Sequence, residues 1–154
     1  MRLSLSPRQR EAVFGAQGCL ATALDDDAEV VVRATGTCMQ PEIMEGATLR
    51  LARRRLRPGD ALAWAALGGE RPTVHRLLGP VWWRGGWRLL TMGDRSRRPD
   101  APIDPSWVLG SVVAVDGVPY RARLRHRLAA SLRYLSWCAR LAGRRVAAYL
   151  SGSA

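Results

Sequence analysis

Between Glu29 and Gly117 the apolar positions come in short bursts, each closed by turn-forming residues. Residues 30–34, 48–52, 61–66, 73–78 and 108–115 read as strands, and 81–91 reads as a hairpin around Gly85-Gly86. Gly46, Pro58-Gly59-Asp60, Gly68-Gly69 and Asp116-Gly117 punctuate them. Many short strands at close spacing predict a mainly β fold: a coiled, mostly antiparallel sheet or partial barrel.

On both flanks the period changes to that of a helix. Ser6-Pro7 supplies a cap and a first-turn proline, and Val13, Ala16, Leu20 and Leu24 follow at helical spacing until Asp25-Asp26-Asp27. Beyond Tyr120, Leu124, Leu128, Leu132, Leu135 and Ala139 recur in steps of four and three with arginines between them. Gly143 is a candidate break that would divide this stretch into two helices. The expected organisation is an N-terminal helix over 1–28, a β domain over 29–120 and a basic amphipathic tail over 121–154. Such a tail either docks on its own sheet or lies on a membrane surface. No stretch approaches the roughly 20 consecutive apolar residues that span a bilayer.

Composition sharpens this picture in two ways. All 24 basic residues of the 154 are arginine, so no lysine is present to act as a base. The formal charge of +11 is also uneven: residues 1–120 hold 16 arginines against 13 acids, whereas 121–154 hold eight arginines and no acid. The tail thus suits acidic peptide or lipid headgroups. It carries no recognition module, so nucleic acid is not an expected partner. Three cysteines and two histidines lack metal-ligand spacing, and the odd cysteine count argues against a disulfide framework. No metal or cofactor is expected. A reducing cytoplasm is the expected setting, with peripheral contact at the inner membrane surface through the tail.

The candidate chemistry starts at Thr35-Gly36-Thr37-Cys38-Met39-Gln40-Pro41. Glycine permits a tight backbone approach there, and proline fixes the exit from the turn, which leaves Cys38 held beside a strand. A nucleophilic thiol needs a base, and the base needs orientation. His75 is the one histidine of the strand region, sharing a strand face with Thr73. Two aspartates follow, Asp94 and Asp100, among Arg95, Arg97 and Arg98. Either can orient an imidazole or pair with those arginines. The arginines, with Arg53-Arg54-Arg55, read as solvated charge or as a selector of acidic peptide.

Five boxes in order carry a resemblance: Gly-Thr-Cys-Met-Gln-Pro (36–41), Pro-Gly-Asp (58–60), Val-His-Arg (74–76), Gly-Asp (93–94) and Val-Leu-Gly-Ser-Val-Val (108–113). Over roughly residues 29–117 the chain resembles the S24/S26 peptidase superfamily, which includes type I signal peptidases and self-cleaving repressor peptidases. It is closest in pattern to the branch whose base is histidine rather than lysine, with Cys38 where the family carries serine. The resemblance implies a signal-peptidase-type β fold and a peptide or protein substrate, such as a precursor of a modified peptide. It implies Cys38 as nucleophile and His75 as base. It also favours Asp100 over Asp94, because the orienting acid lies six positions beyond the Gly-Asp aspartate. Thr37, Thr35 and Asp94 then support the site or its oxyanion, and Met39 and Pro41 contact substrate. The product of attack would be a thioester, open to water or to another amine. The competing expectation is a peptidase fold without turnover, retained to bind a peptide or partner protein.

Overall fold

The computed structural model describes residues 30–65 and 72–151. The expected N-terminal helix over 1–28, with Cys19, lies outside the described residues.

Alternation sets the first two strands. In β1 (Val30–Arg33) Val30 and Val32 face the core, and in β2 (Thr48–Ala52) Leu49 and Leu51 do so while Thr48 and Arg50 face out. β3 (Ala61–Trp64) and β6 (Val108–Val115) read as nearly unbroken apolar runs because both of their faces are covered. Between them lie β4 (Thr73–Trp83) and β5 (Gly86–Met92). These form one long hairpin, turned by Arg84-Gly85, both at positive φ (49° and 80°). That is the turn whose twist matches antiparallel strands. The residues expected as two pieces, 73–78 and 81–91, are thus joined by a single eleven-residue strand with a bulge between Leu77 and Gly79. A short 3-10 turn (Pro105–Trp107) leads into β6, and β7 (Val118–Pro119), absent from the sequence expectation, returns on its end.

All pairings are antiparallel, in the order β1-β2-β6-β3-β4-β5, with β7 also on β6. β1 and β5 remain edges, so the sheet is not closed. The strand latest in sequence among the long ones occupies the middle: β6 separates β2 from β3.

Among the described residues one helix, α1 (Leu124–Ser151), packs on the sheet. It runs straight through Gly143, contrary to the expected break; a single glycine costs a helix only about 1 kcal/mol. It docks by Ala130, Tyr134 and Trp137 against Leu78, Val81, Leu90 and Met92. The Tyr134 hydroxyl donates to the carbonyl of Pro80, and Trp83 meets Trp137 at 6.3 Å between rings. The leucine stripe that organised the sequence reading is not the docking face. Leu124, Leu128, Leu132 and Leu135 stay 72%, 56%, 68% and 62% exposed. Room for the Tyr134 ring comes from Gly79, where a Cβ would lie 3.0 Å from it, and Ala130 keeps the contact close.

At its start α1 is tied down by charge. Asp60 caps its own turn by accepting from the Arg57 N–H at 3.0 Å and receives Arg127 at 3.4 Å. Glu42, in the loop that follows Cys38, accepts from Arg125 and lies 3.2 Å from His126 Nε2. Burial pushes the Glu42 carboxyl up, but Arg125 and His126 outweigh it and hold the group below the usual range. Among the described residues no helix is long and apolar enough to cross a membrane.

Candidate active site

Cys38 lies half-buried at the head of a turn, with Gln40 N–H returning to the Thr37 carbonyl at 3.2 Å and a cis bond between Gln40 and Pro41. The turn is pinned from below by Met39. That side chain, expected to touch substrate, is only 3% exposed and packs in the core with Ile43, Leu49 and Leu51. Its apolar length is what anchors the loop, so the expectation is corrected: Met39 is a foundation. Pro41 is exposed, as are Thr35 and Thr37.

His75 comes from β4, paired with Leu62 of β3. Its Nδ1 lies 2.7 Å from Asp100 Oδ2. The same oxygen accepts the Thr91 hydroxyl at 2.6 Å, and the Asp100 N–H donates back to the Thr91 carbonyl at 2.9 Å. An ionised carboxylate only accepts, so the Nδ1 must carry hydrogen, and neutral His75 keeps its lone pair on Nε2. Thr91 was missed in the sequence reading. The signal available was one hydroxyl in the otherwise apolar Leu89-Leu90-Thr91-Met92.

Gly93 marks where the two halves meet. A Cβ built there would lie 3.1 Å from the Cys38 carbonyl oxygen, 3.1 Å from His75 Nε2 and 2.7 Å from Ser96 Oγ. Both the free imidazole nitrogen and the backbone of the cysteine therefore crowd a point that only glycine leaves open. The Arg95 N–H then holds the Cys38 carbonyl at 2.9 Å. Among the described residues no hydrogen bond joins the Cys38 thiol to His75.

Asp94 takes the other course. One residue along β4 from His75, Arg76 points to the opposite side and is 2% exposed. Its Nε donates to Asp94 Oδ1 at 2.7 Å and its Nη2 to Oδ2, while Nη1 reaches the Gly59 carbonyl at 2.6 Å. Burial disfavours the charged guanidinium, yet Asp94 more than offsets this and keeps it protonated. The alternative left open by the residues thus resolves geometrically: Asp100 meets the imidazole and Asp94 clamps the buried arginine.

Burial pushes the Cys38 thiol above its ordinary value, and the carboxylates of Asp100 and Asp94 add to this. The backbone N–H groups of Cys38 and Met39 draw it the other way. The resting sulfur is therefore a protonated thiol at neutral pH, rather than half of a thiolate–imidazolium pair. Alkylation checks this. Cys38 should react with iodoacetamide more slowly than a free cysteine thiol in solution at pH 7.5, and its rate should keep climbing to a higher pH, because only the thiolate reacts. Faster labelling of Cys38 at neutral pH would contradict a protonated resting thiol.

Among the described residues no cluster of histidine, cysteine and acidic side chains could hold a metal ion. No family model and no curated protein matches this chain.

Proposed function

We propose that this chain is a peptidase of the signal-peptidase-like kind, cleaving a peptide or protein segment with Cys38 as nucleophile and His75 as base. One observation carries the reading: His75 is oriented by Asp100 at 2.7 Å, and its Nε2 and the Cys38 carbonyl oxygen each lie 3.1 Å from the point a Cβ on Gly93 would occupy. His75 Nε2 takes the thiol proton as the sulfur attacks the scissile carbonyl carbon. Asp100 stabilises the imidazolium so formed. The N–H groups of Cys38 and Met39 lie beside the sulfur, where a tetrahedral oxyanion develops, with Thr37 and Thr35 within the same exposed turn. Collapse expels the amine, which receives the proton from His75, and leaves a thioester on Cys38. Water, activated by the same imidazole, then releases the acid and restores the thiol. A raised thiol is compatible with this course, since the proton leaves during attack and not before it.

A second reading has its own support. The protonated sulfur without a hydrogen bond to His75 also suits a module that binds peptide and never turns it over. The two part on incubation with a pooled peptide library, read by mass spectrometry for new termini. Peptidase action predicts cleavage by the wild type, a thioester trapped by hydroxylamine, and neither with Cys38→Ala or His75→Ala. Equal cleavage by all three proteins would overturn it, and bound but intact peptide would favour the module.

A further inference from the structure

The two faces of α1 are both apolar, but among the described residues only one is covered. Ala130, Tyr134 and Trp137 cover the sheet. Opposite them, Leu124, Leu128, Leu132 and Leu135 form a stripe in steps of four and three, each more than half exposed. An outward leucine row of this length adds nothing to the core and is unfavourable in water. Its surroundings are mainly cationic, with Glu42 against Arg125 as the acid at its start. Arg125 and Arg140 border it, both exposed, and exposed Arg121 and Arg123 precede it. From residue 117 onward the chain has no acidic side chain.

We infer that this stripe and its arginine border form a binding surface for an anionic lipid bilayer, on which α1 lies parallel to the plane. Leucines enter the acyl boundary while guanidinium groups meet phosphate headgroups. The leucine spacing would also admit a second helix, but charge decides against another copy of this chain. Pairing α1 with itself would bring two arginine rows together with no carboxylate on either to offset them. A phosphate-bearing surface supplies charge for the arginines that Glu42 and Asp60 do not already meet. The inference stands independently of the peptidase reading.

Sedimentation of the full chain with vesicles tests it. Phosphatidylcholine vesicles containing phosphatidylglycerol should carry the protein down, and phosphatidylcholine alone should carry little. Raising the salt should weaken binding, because the attraction is screened. Leu128→Ser with Leu132→Ser should weaken it by about tenfold or more through lost apolar insertion. Arg125→Gln with Arg140→Gln should weaken it by about fivefold per arginine. All four positions are at the surface, and an unchanged circular dichroism spectrum shows that the variants fold. Vesicle binding indifferent to the leucines would overturn the inference. So would failure to bind vesicles accompanied by self-association that the leucine changes abolish, which would assign the face to a second copy. Failure to bind vesicles with capture by polyglutamate would assign it to an acidic protein, again overturning it.

Discussion

On the peptidase reading, replacing Asp100 with alanine is expected to lower the rate of peptide cleavage by roughly 1,000- to 10,000-fold, the scale on which triads lose rate without their orienting acid. The reason lies in one oxygen. Asp100 Oδ2 accepts both His75 Nδ1 at 2.7 Å and the Thr91 hydroxyl at 2.6 Å. Without it, nothing holds the proton on Nδ1, and the imidazole is free to place hydrogen on Nε2, where it cannot accept from the thiol. Asparagine keeps the shape but not the charge, and its amide can present N–H to Nδ1, which shifts the ring hydrogen to Nε2. Asp100→Asn should therefore fall about as far as alanine, and Thr91→Val should cost less than either. Initial rates on one cleaved peptide, with circular dichroism to show an intact fold, check the order. If Asp100→Ala keeps the wild-type rate, His75 is not oriented by that acid.

The second large effect concerns stability and falls on the neighbouring aspartate. Asp94→Ala is expected to destabilise the fold by about 3–5 kcal/mol, the usual cost of stranding a buried charge. Arg76 is almost fully enclosed and has Asp94 as its carboxylate partner, with the Gly59 carbonyl and the Tyr120 hydroxyl completing its contacts. A loss of that size is a large share of the ~5–15 kcal/mol that holds a domain together. Urea unfolding measures it. Replacing both partners, Arg76→Met with Asp94→Leu, should recover much of the loss, because no charge is then left unpaired. The two aspartates thus make opposite forecasts. Asp100→Ala should reduce rate far more than stability, and Asp94→Ala should reduce stability first. An Asp94→Ala protein with unchanged unfolding would mean that Arg76 finds another partner.

Much of the sheet was legible because each strand is short, alternates or runs apolar, and ends at Gly, Pro or Asp. Residues 48–52 and 108–115 match β2 and β6 to the residue. Strand order was not legible, because no local pattern says that β6 inserts between β2 and β3. In the site, the pairing of His75 with an aspartate was foreseeable, yet the residues alone left Asp94 and Asp100 equal. Only the resemblance leaned toward Asp100. What separates them is that His75 and Arg76 face opposite ways and each claims one carboxylate. Met39 was misplaced because a residue next to a nucleophile reads as exposed, whereas the turn rotates its side chain into the core. For α1 the leucine period was real, but period reports amphipathicity without saying which side meets the sheet. Gly59 and Gly79 settle that from the sheet's side. A Cβ at either would come within 3.0 Å of α1, at the Arg127 backbone and the Tyr134 ring respectively.

The central place of β6 has a consequence for how the protein comes into being. During synthesis the Cys38 turn with β1 and β2 emerges first, and the β3–β4–β5 meander with His75 and Asp100 follows. Those two halves share no strand pairing of their own. Until β6 leaves the ribosome and slots between them, Cys38 and His75 belong to pieces that no strand pairing joins. Long-range closure of this kind is slow relative to local pairing. Cys38 and His75 are therefore both made well before the strand that joins their two halves, and the arrangement of the candidate site arrives late, with a single strand.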